Sequence, residues 1–182
     1  MSLPGGIDLW TRLFDATDLG TSSPALLMLH GTAETGDAYR QWIPHLAREF
    51  RIVCPDLRGM GRSTRISPGS SLEMNALVDD VCELMRTLGI ERYSVVGEKA
   101  GALLALRLAA RHPDDVQAMA LACGMIAPRD VLGGWVPGWI RMVEESGVRA
   151  WVDATQAGRM GDELSPRALE WWNAMMAASD PP

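Results

Sequence analysis

The stretch that most constrains the fold is residues 93–106, YSVVGEKAGALLAL. Its first residues predict the end of a short buried strand, and residues 100–111, rich in Ala and Leu, predict a helix that is apolar nearly all round. Gly97 and Gly101 suit a sharp reversal between the two, because the first relieves crowding at the bend and the second lets the helix begin close to a neighbouring strand. The stretch therefore predicts a tight strand–turn–helix unit with Lys99 at its tip.

Strand and helix patterns alternate through the first two thirds of the chain. Further strands are predicted at residues 7–14, 25–29, 51–55 and 116–122. Helices are predicted at residues 37–50 and between Ser71, a good N-cap, and Gly89, which ends the helix. The residues of this last helix that should face water are Asp79, Asp80, Glu83 and Arg86. The alternation predicts an α/β fold, with a mostly parallel sheet flanked by helices on both faces.

Two of the predicted strands lead into polar turns. Residues 30–32, HGT, follow one strand, and residues 56–63, DLRGMGRS, follow another with an acid, an arginine, two glycines and a serine in fixed order. Ligands of α/β sheets bind beyond the carboxyl ends of the strands. His30, Asp56 and Lys99 all fall at such ends, which makes this edge the candidate functional site.

The three turns together resemble those of the α/β-hydrolase family. Residues 97–101, GEKAG, have the glycine frame of its G-x-S-x-G nucleophile elbow, and the other two turns are similar to its HG and D-x-R-G-x-G-x-S motifs. The resemblance implies the N-terminal part of a hydrolase core at residues 1–124 and a helical cap-like segment at residues 125–182. The end of that segment, around Trp171, is similar to the caps of carboxylic ester and enol-lactone hydrolases.

The resemblance also implies roles for residues of the turns. The backbone N–H groups of Thr32 or Ala33, and of Ala100, would form an oxyanion hole for a carbonyl oxygen. The supporting loop residues would be His30, Gly31, Asp56, Arg58, Gly97, Glu98 and Gly101, with Ser63 beside them. His30 has two interpretations, a histidine that holds the turn by hydrogen bonds or a catalytic proton carrier.

Lys99 stands where the family has its attacking serine. A lysine brings no hydroxyl group, and its amine is protonated near neutral pH unless the surroundings disfavour the charge. The positive end of the following helix would disfavour the ammonium form, whereas Glu98 would favour it if the two side chains point the same way. Because the sequence does not decide between these effects, Lys99 is a candidate catalytic residue whose role is left open.

The charge balance limits the classes of partner. The chain has 182 residues and a mass of 19.8 kDa, with 17 basic and 23 acidic residues and a net charge of −6. This balance argues against nucleic acid as a partner. No apolar run reaches the length of a membrane span, and the N-terminus lacks the basic and then apolar plan of a signal peptide, so we expect a cytoplasmic protein without a membrane partner.

Cysteine and histidine are too few and too scattered to suggest a metal site. Cys54, Cys82 and Cys123 lie far apart, and we expect small buried hydrophobic residues in a reducing compartment. The sequence has no C-x-x-C, H-E-x-x-H, G-x-G-x-x-G or G-x-x-x-x-G-K motif. We therefore expect neither a metal nor a cofactor.

Tryptophan is concentrated near the end of the chain. Five of the seven tryptophans are Trp135, Trp139, Trp151, Trp171 and Trp172, among predicted short helices broken by Gly and Pro. These side chains would either line a pocket for a hydrophobic substrate or pack the cap-like segment onto the core. Both interpretations stay open.

No motif identifies the acid and the histidine that follow the nucleophile in the family. The resemblance thus covers about the first two thirds of the family's fold, a truncated core in which the strand at residues 116–122 is a sheet edge. An exposed edge needs a cover. Either the Trp-rich segment folds over it or a second copy pairs with it, and we expect a homodimer.

Three hypotheses for the function follow. The first is a hydrolase related to carboxylic ester or lactone hydrolases, impaired or inactive as a serine hydrolase in this form. The second is a non-catalytic module that binds a small hydrophobic ester, lactone or carbonyl ligand, or a protein partner, with the same pocket. The third is Schiff-base chemistry at Lys99, for which no second catalytic group is identified.

Overall fold

A computed structural model describes residues 1–20, 22–67, 72–124, 133–161 and 163–179 of the chain. The chain divides into two compact units, Met1–Met125 and Ile126–Pro182. The first unit contains the sheet and the three turns, and the described part of the second unit contains two helices. The candidate site therefore lies within the first unit.

The first unit is built on a five-stranded sheet. Its strands are β3 (Thr11–Phe14), β4 (Ala25–Leu29), β5 (Arg51–Pro55), β6 (Tyr93–Glu98) and β7 (Val116–Ala122), and their order in the sheet is β3-β5-β4-β6-β7. Only β3 runs antiparallel to its neighbour, while the other three pairings are parallel. The predicted mostly parallel α/β sheet is confirmed, and β7 forms one of its two edges.

The predicted strand at residues 7–14 is wrong as a single element. The chain instead forms a small hairpin of β1 (Ser2–Leu3) and β2 (Ile7–Asp8), and β3 begins only at Thr11. The break has a physical cause, because the Trp10 N–H donates to Ser63 Oγ at 2.9 Å and not to a neighbouring strand.

Helices cover both faces of the sheet. On one face lie α2 (Met74–Thr87) and α3 (Ala100–Arg111), which contribute residues such as Leu84 and Leu104 to the larger core cluster. On the other face lie a 3₁₀ helix (Gly36–Tyr39) and the single turn α1 (Ile43–Leu46). The long helix predicted at residues 37–50 is thus replaced by two short ones, because proline has no N–H to continue a helix through position 44.

The ends of α2 differ in part from the prediction. Gly89 follows the helix with a φ of 68° and donates its N–H to the Arg86 carbonyl at 3.0 Å, as expected of a glycine that ends a helix. The N-cap is Glu73, while Ser71 lies outside the described residues. Asp80 was expected to face water but is buried, because it forms an ion pair with Arg58.

Where the structure describes the second unit, its helices are α4 (Val136–Arg159) and α5 (Pro166–Ala177). The helices are longer than predicted, although α4 is kinked at Gly147, where φ is 82°. Trp151 is buried, with the Trp139 ring at 5.9 Å and the Arg159 guanidinium 4.1 Å from its ring centroid. Neither these two helices nor any other helix in the described ranges is both long and apolar enough to cross a membrane.

The three cysteines are free thiols. Cys54 is buried and Cys82 is half-buried, but Cys123 is exposed just after the edge strand β7. The expectation of three buried cysteines is therefore wrong for Cys123.

Candidate active site at the strand–helix turn

The chain makes a sharp bend between β6 and α3. Lys99 occupies the bend alone, with a φ of 50° and a ψ of −114°, between the last residue of the strand and the first residue of the helix. A Cβ atom on Gly97 would lie 2.5 Å from the Gly101 carbonyl oxygen, and a Cβ atom on Gly101 would lie 2.7 Å from the His30 carbonyl oxygen. Both positions therefore require glycine, and the predicted elbow with Lys99 at its tip is confirmed.

The Lys99 side chain is joined to a buried acid that sequence reasoning missed. Lys99 Nζ donates to Glu34 Oε1 at 2.5 Å, and the Glu34 side chain is fully buried. The second oxygen of the carboxylate, Oε2, accepts the Gly31 N–H at 3.0 Å. Glu34 thus links the tip of the elbow to the loop after β4. The one sequence signal that could have identified Glu34 is its position three residues after Gly31, in the turn that follows a predicted strand.

A second carboxyl group completes what we call the elbow cluster, Lys99, Glu34 and Glu98. Burial raises the pKa of Glu98, and the hydrogen bond to Glu34 and the negative charge of Glu34 raise it further, to about 8. Burial would also raise the pKa of Glu34, but the hydrogen bond from Glu98 and the charge of Lys99 more than offset this, so that its pKa lies below the usual value. The two carboxyl groups therefore share one proton near neutral pH, and Glu98 carries it.

His30 is fully buried and both of its ring nitrogens are engaged. Nε2 accepts the Leu57 N–H at 2.9 Å, so Nδ1 carries the proton and donates to the Gly31 carbonyl oxygen at 2.8 Å. Burial lowers the pKa of His30, which keeps the ring neutral. These bonds hold the loops after β4 and β5 together, which is the first of the two roles considered for this residue.

The predicted oxyanion donors lie on the two segments that the Lys99–Glu34 ion pair joins. Ala100 is the first residue of α3, so its N–H has no acceptor within the helix. Thr32 and Ala33 lie between Gly31 and Glu34, and Ala33 has a φ of 58°. Their role in binding a carbonyl oxygen stays a prediction.

Asp56 organises the loop after β5. Its Oδ1 accepts from the Gly36 N–H and from Arg12 Nη1, both at 2.9 Å, and its Oδ2 accepts the Arg62 N–H at 3.1 Å. The Ser63 hydroxyl donates to the Asp56 carbonyl oxygen at 2.5 Å. Arg58 does not join this network, since its ion pair is with Asp80 on α2. Arg12 was not singled out in the sequence.

Tyr39 fixes the ends of the two central strands. Its hydroxyl is buried, donates to the Leu29 carbonyl oxygen at 2.8 Å, and is hydrogen-bonded to the backbone of Glu98. Burial raises the pKa of Tyr39 far above its usual value, so that the phenol stays protonated. No group of three His, Cys, Asp or Glu residues in the described part of the chain is arranged to hold a metal ion.

Comparison with known proteins identifies the family of this chain. The sequence profile of the alpha/beta hydrolase fold matches residues 24–161. The chain belongs to the alpha/beta hydrolase fold family. The elbow of this hydrolase-fold protein therefore corresponds to the family's nucleophile elbow, with Lys99 at the position of the nucleophile.

Relatives of this hydrolase-fold chain include enzymes of several kinds. It is 39% identical over 119 residues to a fluoroacetate dehalogenase from a Burkholderia species, a match that covers 60% of this chain and 39% of the dehalogenase. It is 31% identical over 134 residues to the 2-hydroxymuconate semialdehyde hydrolase of Pseudomonas sp. strain CF600, covering 69% of this chain and 47% of that enzyme. The chain thus spans less than half the length of either relative.

A solved structure is similar to nearly the whole chain. The enol-lactonase from Burkholderia xenovorans LB400 has a TM-score of 0.80 and 26% sequence identity, covering 97% of this chain and 66% of the lactonase. The chain is therefore related in sequence to a dehalogenase and a semialdehyde hydrolase, and in fold to a lactonase.

Proposed function

We propose that this protein binds a small ester, lactone or other carbonyl compound at the elbow and does not hydrolyse it as a serine hydrolase does. The observation that carries the proposal is the ion pair between Lys99, at the tip of the elbow, and the buried Glu34. A side chain with no hydroxyl, held by a buried carboxylate, does not supply the nucleophile of the serine mechanism.

The choice of a carbonyl ligand rests on backbone groups, which do not depend on the side chain at position 99. The N–H of Ala100 at the start of α3 is suited to a carbonyl oxygen, because helix N-termini favour partial negative charge. Two of the relatives described above are named as a lactonase and a semialdehyde hydrolase, and their names refer to carbonyl compounds. Both facts support a carbonyl compound as the ligand.

Schiff-base formation is the weaker alternative for Lys99. An amine attacks a carbonyl carbon only when it is uncharged. In the structure the Lys99 amine is bound in an ion pair to the buried Glu34, which argues against attack on a carbonyl carbon. Borohydride trapping with a reactive diketone tests the point, and we expect no adduct at Lys99 by mass spectrometry.

A fluorophosphonate probe and a binding assay test the proposal together. We expect the protein to stay unlabelled by the probe and to give no turnover of short p-nitrophenyl esters above buffer. In the same preparation, saturation-transfer NMR should detect binding of a small lactone. Robust labelling, or ester turnover that disappears in Lys99→Ala, would refute the proposal.

The proposal extends to the location of the protein. All three cysteines are free, and free thiols are typical of a reducing compartment. We therefore propose a cytoplasmic location, which cell fractionation of the tagged native chain would test.

A further inference from the structure

The elbow cluster has one buried and two accessible members. The Glu34 side chain has no exposed surface, whereas 34% of the Lys99 side chain is exposed and Glu98 is half-buried. Glu34 therefore holds the other two in place. A ligand at the elbow would meet an ammonium group and a carboxyl group.

The carboxyl group of Glu98 is arranged to exchange a proton. It is hydrogen-bonded to Glu34, and the groups that face it are Glu34, Lys99 and the neutral phenol of Tyr39. Its pKa of about 8 lies close to neutral pH, where a carboxyl group serves both as acid and as base. An ordinary exposed glutamate is too weak a base for this purpose.

The surroundings also favour negative charge on a nearby oxygen. The ammonium of Lys99 supplies a positive charge beside the turn, and the N–H of Ala100 belongs to the positive end of α3. Fixed groups of this kind stabilise an enolate oxygen as it forms, because they need no reorganisation during the reaction.

We propose that the elbow catalyses proton transfer at the carbon next to a bound carbonyl group, with Glu98 as the catalytic acid–base and Lys99 stabilising the enolate oxygen. The substrate class is a neutral ester, lactone or ketone with an acidic α-hydrogen. The inference rests on the proposed function, since it requires the carbonyl compound to bind at the elbow.

The reaction of α-angelica lactone shows how the atoms balance. The Glu98 carboxylate takes a proton from the carbon between the carbonyl group and the ring double bond. The electrons of that C–H bond form a new C=C bond, and the carbonyl electrons move to oxygen as a dienolate beside Lys99. Glu98 then returns the proton to the far carbon of the former double bond, which gives the conjugated isomer, β-angelica lactone, with no oxidant or second reactant.

Proton NMR of α-angelica lactone in D₂O separates the possible reactions. We expect the full chain to convert it to deuterium-labelled β-angelica lactone at a rate above buffer that rises with pH up to about 8, as the pKa of Glu98 requires. Saturation-transfer signals in the same samples report binding. Hydrolysis would give levulinate instead, which has distinct resonances.

Glu98→Gln is the decisive variant, because a glutamine amide still donates a hydrogen bond to Glu34 but carries no transferable proton. We expect it to bind the lactone and to lose at least about 100-fold in isomerisation rate, the usual contribution of an acid–base group. Glu91→Gln, the same change at an exposed position before the other end of β6, should leave the rate unchanged.

Each outcome has one meaning. Isomerisation that is lost in Glu98→Gln while binding persists supports the inference. Binding without isomerisation, or equal rates in Glu98→Gln and the wild type, overturns the inference and leaves the proposed function standing. No binding, or levulinate as the product, overturns the proposed function itself.

Discussion

At the residue scale, position 99 combines two unfavourable features that the neighbouring residues offset. A lysine with positive φ is strained by roughly 1 kcal/mol or more, and a carboxylate without exposed surface, as at Glu34, is costly unless it is paired. The ion pair and the Gly31 N–H satisfy the acid. The strained turn and the buried charge thus depend on each other.

The raised pKa of Glu98 predicts a specific pH dependence of stability. In the unfolded chain the glutamate has a pKa of about 4.3, so between that value and about 8 the folded state binds more protons than the unfolded state. The stability that the raised pKa of Glu98 contributes is therefore fully present below about pH 4.3 and is lost as the pH rises through about 8. Glu34 acts in the opposite sense, because its lowered pKa contributes stability that is lost as the pH falls through the pKa that Glu34 has in the folded state.

We expect the free energy of unfolding, measured with urea from pH 5 to pH 9, to fall with rising pH in the wild type. In Glu98→Gln this fall should be much smaller, because the variant has no proton to lose at that position. Parallel curves for the two proteins would show that Glu98 does not hold the shared proton.

Two buried tyrosines allow the contribution of a hydrogen bond to stability to be measured by comparison. Tyr39 donates to the Leu29 carbonyl oxygen, whereas the Tyr93 hydroxyl is buried without a hydrogen-bond partner among the described residues. We expect Tyr39→Phe to lower the free energy of unfolding by about 1–3 kcal/mol, because it removes the hydrogen bonds of the Tyr39 hydroxyl to the buried backbone of Leu29 and Glu98. Tyr93→Phe should be neutral or stabilising, and an equal loss in both variants would contradict the role given to Tyr39.

At the scale of elements, the approach of α3 to β4 is limited by one glycine. A Cβ atom on Gly101 would lie 2.6 Å from the Leu29 carbonyl carbon, which belongs to the backbone and has little room to move. We expect Gly101→Ala to cost about 3 kcal/mol or more in thermal or urea unfolding.

The control for this variant is Gly138→Ala in α4. A Cβ atom there meets nothing within 4 Å, so the same added methyl group should leave stability unchanged or raise it by up to about 1 kcal/mol. A harmless Gly101→Ala would mean that the helix does not pack against the strand as closely as described.

The elbow was predictable from sequence because its causes are local. The spacing of Gly97 and Gly101 encodes the bend within a few residues, and the apolar run at residues 25–29 encodes a buried strand. Glu34 was not predictable as the partner of Lys99, because the two are 65 residues apart and meet only when β4 and β6 pair.

Other elements were mispredicted for a similar reason. Asp80 has the position of a solvent-facing helix residue, but the ion pair with Arg58 of a distant loop buries it. The strand predicted at residues 7–14 is interrupted before Thr11, because the Trp10 N–H donates to the Ser63 side chain. In both cases a long-range polar contact overrides a correct local pattern.

At the scale of the whole molecule, the edge strand β7 predicts self-association. Among the described strands it pairs only with β6, and its apolar side chains Met119 and Leu121 are 42% and 41% exposed. Because an exposed apolar strand edge tends to pair with another strand, we expect the 182-residue chain to form a homodimer.

Analytical ultracentrifugation of charged variants tests this expectation. Met119→Lys and Leu121→Lys should shift the equilibrium toward the monomer. Leu19→Lys, at a fully exposed site after β3 at the opposite edge of the sheet, should not. A wild-type chain that stays monomeric at high concentration would refute the dimer.

The most direct test of the role of Lys99 is a double-mutant cycle on global unfolding with Lys99→Met and Glu34→Gln. Lys99→Met leaves the buried Glu34 carboxylate without its cation, so we expect this variant to cost about 3 kcal/mol. Glu34→Gln should cost less, because the Lys99 side chain that it leaves is partly exposed to water. The double variant should cost less than the sum of the two by about 1–3 kcal/mol, because it removes both charges. Costs that add to within about 0.5 kcal/mol would show that the two residues act independently, and would contradict an elbow held by their ion pair.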